Sequence, residues 1–219
     1  GSVDSMVSNY TATKKFRNTD DYTPGGKNDK RPDRALSVYC NLIRRYFKDT
    51  VPLVLGGIEA SLRRVTHYDY WQNKLKKPVI FDAKADIIIY GMGEIALEQV
   101  TRALDEKRDY TDIRGICYIS KEPNHEYIQL PSHQECLDDK EKYIDLFDDF
   151  CDNNDPISAT GLCQPVDSRY LIQNPPCDYR DEKEMDANSN LPFTRELHPY
   201  YAKDGKVKFL ETIKFSIMT

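Results

Sequence analysis

Two glycine-closed apolar runs carry the residues of this chain best suited to chemistry. The run "VPLVLGG" ends at Gly56 and Gly57 and leads straight into "IEASLRRVTHYDYWQNK". That segment sets Glu59, Arg63, Arg64, His67, Tyr68, Asp69, Tyr70 and Trp71 just past a strand. Carboxylate, guanidinium, imidazole and phenol groups gathered there could grip a polar ligand and move protons. The same residues admit a second reading, in which a helix "EASLRRV" pairs its arginines with local acids while Tyr68, Tyr70 and Trp71 fold back as core; the sequence leaves both open. The second run, "ADIIIYGMGE", closes on Gly91, Met92, Gly93 and Glu94. It looks like a phosphate-binding turn but lacks the third glycine of GxGxxG. Glu94 stands where the next helix would offer its N–H groups, and a carboxylate there satisfies the helix dipole and repels phosphate. His67 has no cysteine or serine nucleophile at a motif spacing, which leaves hydrolase chemistry little support.

Positioning these residues calls for a sheet. A short apolar run closed by glycines suits a strand buried on both faces, and strands are expected at 51–57, 86–90 and 115–120. "YIQLPS" reads as a fourth, joined to the third by "KEPNHE". Pro32 and Asp33 suit a helix start, and Leu36, Val38, Tyr39, Leu42, Ile43, Tyr46 and Phe47 follow at helical spacing. Ile95, Leu97, Val100 and Leu104 repeat that spacing after Glu94. Helices are therefore expected near 33–48, 94–107 and 136–151. This rhythm is that of an α/β fold with a mostly parallel open sheet. Ligands bind outside the edge where such strands end, so Gly57, Glu59, His67 and Glu94 are expected on one edge. The acidic stretch "QECLDDKEKYIDLFDDFCDNND" still places Tyr143, Leu146, Phe147, Phe150 and Cys151 on one helical face. That is an amphipathic helix with a solvated side; a calcium loop would want a glycine and alternating ligands.

The domains expected are a loop-rich segment at 1–31, an α/β domain at 32–155 and an irregular, proline-rich linker at 156–212. "IKFSIMT" at 213–219 reads as the start of a further buried strand.

Composition narrows the partners. The chain of 219 residues is 39% hydrophobic and 31% charged, with a mean hydropathy of −0.68. Its net charge of −5 gives no general pull toward nucleic acid or an anionic membrane. No apolar stretch approaches the roughly 20 residues that span a bilayer, and no signal-peptide pattern opens the chain. A cytoplasmic protein with free thiols is expected. Cys40, Cys117, Cys136, Cys151, Cys163 and Cys177 are widely spaced, and a zinc site among the last four lacks ligand-like spacing.

The blocks "VDSMVSNYT", "DYTPGGKNDKRPDRA", "LGGIEASLRR", "HYDYW", "DAKADIIIYGMGE", "NPP", "LPFTR" and "HPYY" together resemble the YgiQ family of radical-SAM proteins. The likeness is dense through about residue 120, loose through the acidic helix, and returns from about 165. It implies a Rossmann-like domain similar to the cobalamin-binding fold, then a radical-SAM barrel whose CxxxCxxC thiolates hold a [4Fe–4S] cluster that binds S-adenosylmethionine. Gly91 to Glu94 match the family's GxGE turn, and Gly56-Gly57 its glycine pair. "FSIMT" matches the first barrel strand, so the cluster motif is expected just beyond Thr219. No catalytic or cluster-binding residue is then carried over to this chain, and no cofactor is expected on it. A DxHxxG cobalt-ligand motif is absent, so cobalamin binding is not expected. The expected partners are the protein's own barrel and an unknown substrate. The rival readings are a stand-alone ligand-binding or interaction module using Arg63 to Trp71, and, more weakly, a nucleotide-dependent transferase.

Overall fold

The computed structural model describes residues 3–194 and 196–213. The chain divides into two compact units: one made of residues 36–179 with the first few residues, the other of residues 4–35 and 180–219.

The larger unit is α/β. Its strands are β1 (Val54–Leu55), β2 (His67–Asp69), β3 (Lys74–Lys76), β4 (Ile87–Ile89), β5 (Ile116–Ser120), β6 (Ile128–Gln129), β7 (Leu162–Val166) and β8 (Arg169–Gln173). Six of them form one sheet in the order β1-β4-β5-β8-β7-β6, while β2 and β3 form a separate antiparallel hairpin. Helices Ala35–Tyr46, Ile58–Leu62, Val79–Ala83, Glu94–Asp105, His133–Asp138 and Lys140–Asp152 accompany the sheet.

The sheet is sandwiched, which is why "III" can be wholly apolar. Ile87 and Ile89 point to one face, where they pack with Ile116 against Ala96 and Val100 of helix Glu94–Asp105. Ile88 points the other way, with Cys117, Leu162 and Leu171, into a core that includes Cys40, Ala60, Ile80, Cys136 and Leu146 from the remaining helices. All three isoleucines are buried, each stabilising the fold by about 1.5–3 kcal/mol.

The α/β class stands, with a sheet of mixed direction. β1 and β4 run parallel, with Val54 opposite Ile87, as do β6 and β7. The expected parallel relation stops at residues 115–120: β5 runs antiparallel to β4, and β8 is antiparallel to both β5 and β7. The cause lies in the connection. Helix Glu94–Asp105 takes the chain away from the end of β4, but residues 106–115 then return it to that end, where Gly115 accepts a hydrogen bond from the Tyr90 amide. At about 3.3 Å per residue that loop is ample for the climb.

The fourth strand is present as β6; although "KEPNHE" joins it to β5 in sequence, it lies at the far edge of the sheet, separated from β5 by β8 and β7. The stretch expected as an irregular linker supplies β7 and β8, the latter in the middle of the sheet, together with helix Glu182–Ser189. The acidic helix is two helices: Asp139, with extended backbone, ends the first and caps the second by accepting from the Glu141 amide. Leu146 is buried with Tyr143 and Phe150 packed beside it, whereas Phe147 and Cys151 are exposed.

The smaller unit joins the two ends of the chain. Asp20 is the knot of its loop: buried, it accepts from the Tyr22 amide and the Thr23 hydroxyl and pairs with Arg31 at 3.1 Å. The Tyr22 ring packs on Phe209, 4.5 Å between centroids. Gly25 adopts φ +75°, donates its amide to Lys206 O and lies so close to the Asp204 carbonyl that a Cβ would collide with it. "TPGG" is thus a turn shaped for the return of the chain near its end. The expected strand at 213–219 falls outside the described residues except for Ile213, which ends helix Lys208–Ile213.

Candidate functional site

Parallel pairing of β1 and β4 brings both glycine turns to one edge of the sheet. Gly57, at φ +84°, turns the chain into helix Ile58–Leu62, and Gly56 lies beside the Ile89 carbonyl. Gly91 has φ +69° and open space around it. Gly93 has ordinary backbone, but a Cβ there would strike the Ile89 side chain. The second glycine of GMGE is therefore a packing glycine, which brings helix Glu94–Asp105 close to β4. Glu94 opens that helix and is exposed.

Behind Gly57, Glu59 is buried in the first helical turn and pairs with Arg63 at 3.1 Å, one turn on. Arg64 goes elsewhere. It is buried, donating Nε to Gln173 Oε1 (2.9 Å), Nη2 to Asn154 Oδ1 (2.6 Å) and Nη1 to the Ser61 carbonyl (2.5 Å). Its guanidinium lies between Tyr90 and Phe150, 4.5 and 4.1 Å from the ring centroids. These partners are all neutral, so Arg64 is a cation bound by dipoles and ring faces. Of the core reading of "EASLRR", Arg63 does pair with a local acid, Glu59, whereas Arg64 is buried on neutral partners and Tyr68 and Tyr70 are exposed rather than core.

The chain then leaves the edge. Thr66 donates its amide to Gln164 Oε1 on β7, accepts from Gln164 Nε2 at 2.8 Å, and its hydroxyl lies 3.0 Å from His133 Nδ1. His67 opens the β2–β3 hairpin, and the following Tyr68 amide bonds Tyr143 OH of helix Lys140–Asp152. The structure therefore places Gly57, Glu59 and Glu94 about the two parallel strand ends, and His67 with the hairpin. His67 Nδ1 sits 3.1 Å from the Val65 carbonyl, which can only accept, so Nδ1 carries the proton. Desolvation lowers its pKa to about 4, making it a neutral imidazole at pH 7. Asp69 shapes the hairpin turn by accepting from the Trp71 and Gln72 amides. Tyr68 and Tyr70 are exposed, and Trp71, half-buried, meets Tyr70 edge to face.

Several supporting residues carried no signal in the sequence. Gln164 and Gln173 are fully buried strand residues, although a lone polar residue in a strand reads as facing solvent. "NPP" shows its purpose only in three dimensions. Asn174 Nδ2 donates to the carbonyls of Thr111 and Ile113, and Pro175 O accepts from the Gly115 amide, which fastens the loop that returns β5 to the glycine edge.

The comparisons with known proteins agree with one another. The family model described as Radical SAM N-terminal matches residues 1–216. A UPF0313 protein of Fusobacterium nucleatum is 58% identical over 220 residues, covering 100% of this chain and 39% of the relative. One from Thermotoga maritima is 49% identical over 220 residues, covering 99% of the chain and 39% of the relative. One from Methanocella arvoryzae is 44% identical over 222 residues, covering 99% and 37%. The chain spans about two-fifths of the length of these curated relatives. No solved structure matches it.

Proposed function

Since this chain belongs to the radical SAM N-terminal family, we propose that it is the accessory portion of a radical-SAM enzyme. In this reading it is not catalytic alone, and its glycine-turn edge packs against the remainder of the protein and helps form the substrate site. The observation that carries this is the surface of that edge. Ile58, Leu62, Met92 and Leu97 follow the ends of β1 and β4 and are 46%, 61%, 62% and 50% exposed. Large apolar side chains exposed at one sheet edge suit an interaction surface, and Ile58 and Leu62 sit on the short helix that carries the buried Glu59, whose carboxylate pairs with Arg63.

The family implies a [4Fe–4S] cluster and S-adenosylmethionine in full-length proteins. The residues of this chain do not fit a cluster: among the described residues no three His, Cys, Asp or Glu side chains are grouped to hold a metal. In the proposal, cluster and cosubstrate belong to the rest of the protein, and no step runs through them here. The Rossmann-like comparison rests on the parallel pair β1–β4 with its two glycine turns, and cobalamin has no part in the proposal. Among the described residues no helix is long and apolar enough to cross a membrane.

A second reading, an interaction module, draws on the exposed Tyr68 and Tyr70 of the hairpin. One experiment separates the two. In the full-length protein, Leu62→Glu and Met92→Glu should abolish reductive cleavage of S-adenosylmethionine in the presence of substrate while iron content stays unchanged, and Tyr70→Ala should leave it intact. Full activity of both glutamate variants would overturn the accessory reading.

A further inference from the structure

The sheet edge opposite the glycine turns holds a solvent-open cleft of about 400 Å³. It lies where β4 begins, β5 ends and β8 begins, as the pairings of Ile87 with Tyr118 and of Ser120 with Tyr170 require. Its apolar wall is Ile80, Phe81, Ala85 and Ile119; its polar groups are Lys84, Lys121, Arg169, Ser120, Tyr110 and Asp86.

The charges do not balance. Asp86 is the sole carboxylate in the lining, and it is already engaged: Oδ2 accepts from the Leu53 amide at 2.6 Å and from Arg44 Nη2 at 2.5 Å. Arg44 also donates Nε to the Lys84 carbonyl. Lys84, Lys121 and Arg169 make no ion pair among the described residues. Arg169 instead lies with its guanidinium carbon 5.1 Å from the Phe81 ring centroid, a cation–π contact that leaves its N–H groups without an ion-pair partner among the described residues. The Tyr110 hydroxyl, a neutral phenol at pH 7, is a further hydrogen-bonding group in the lining. In a chain of net charge −5, this is a local positive concavity with a flat apolar wall.

We propose that this cleft binds a phosphomonoester carrying a planar ring, of nucleoside-monophosphate size. The phosphate is held by Arg169, Lys121 and Lys84, with the ring against Phe81 and Ile119. Its volume falls within the range of small-molecule sites. The fork of Arg169 suits two phosphate oxygens, with the lysines as point charges. The inference is independent of the proposed accessory role, since it concerns the other edge of the sheet and needs no cluster.

Calorimetric titration of the 219-residue chain with AMP, adenosine and inorganic phosphate tests it. AMP should bind saturably, adenosine should not, and phosphate should bind at least tenfold more weakly than AMP. Arg169→Ala and Lys121→Ala, both at exposed positions, should each weaken AMP by about tenfold, the loss of one charge-assisted contact. Circular dichroism of each variant checks that it is folded. No saturable binding of AMP, equal binding of phosphate and AMP, or AMP binding indifferent to both substitutions would overturn the proposal.

Discussion

His67 makes folding sensitive to acid. Its pKa in the folded chain is about 4, against an ordinary value of 6.5, because burial disfavours the imidazolium. Between those values the unfolded chain binds a proton that the folded chain does not, so stability is intact above pH 6.5 and falls as pH drops toward 4. The loss is about 3 kcal/mol at most. His133, also lowered by burial, adds to it in the same direction. An NMR titration should find His67 neutral at pH 5.5, and denaturant melts of His67→Gln should show a shallower acid limb; a His67 titrating near 6.5 would contradict the burial argument. Arg64→Ala should cost about 3 kcal/mol in urea melts, since it strands Gln173, Asn154 and a Ser61 carbonyl. Arg64→Lys should recover little, because an ammonium cannot bond three acceptors while stacked between two rings. Thiol labelling should modify Cys151 first. Cys117, buried and with its pKa pushed up to about 12, should react only on unfolding. The sequence could show that Glu59 to Trp71 was dense in function-capable groups. It could not separate Arg63, which stays at the edge, from Arg64, which turns inward, because that depends on Gln173 far along the chain.

Among the elements, the GMGE turn gives the sharpest contrast. Gly93→Ala should destabilise by about 1–3 kcal/mol, since its methyl group must displace the Ile89 side chain. Gly91→Ala, with open space around it but φ +69°, should cost nearer 1 kcal/mol. Combining Gly93→Ala with Ile89→Ala should cost less than the sum of the two; strict additivity would mean that the contact does not limit the approach of the helix. The strands at 54–55, 87–89 and 116–120 and the helices at 35–46 and 94–105 were legible because period and glycine closure coincide there. β7 was not, and Pro165 explains why: proline argues against a central strand. It falls beyond Leu162 and Cys163, the β7 residues that β6 pairs, so that side of β7 is an edge at Pro165. Strand direction was equally hidden, since it was decided by the length of the 106–115 loop.

At the scale of the whole molecule, the smaller unit is closed by residues distant in sequence: Tyr22 with Phe209, Asp21 with Lys208, Gly25 with Lys206. A chain ending at residue 179 should keep the circular-dichroism signature of the α/β sheet. Hydrogen exchange should find its amides at 4–35 unprotected, and protection there equal to that of the 219-residue chain would refute the description of two units. Anaerobic treatment of the 219-residue chain with iron and sulfide should leave it without a stoichiometric cluster, judged by iron content and visible absorption. The central place of β8 bears on how the protein is made. A nascent chain can pair β1, β4 and β5 early, but β5 then presents a bare apolar flank until β8 emerges, because β8 is its other neighbour. Ser120 and Arg169 lie 49 residues apart, which at typical synthesis speeds is about 2–10 s on the ribosome. Through that interval the half-sheet is exposed to other chains, and the proline-bearing hairpin that ends it arrives as a single late insertion, so the order of synthesis leaves the centre of the sheet until last.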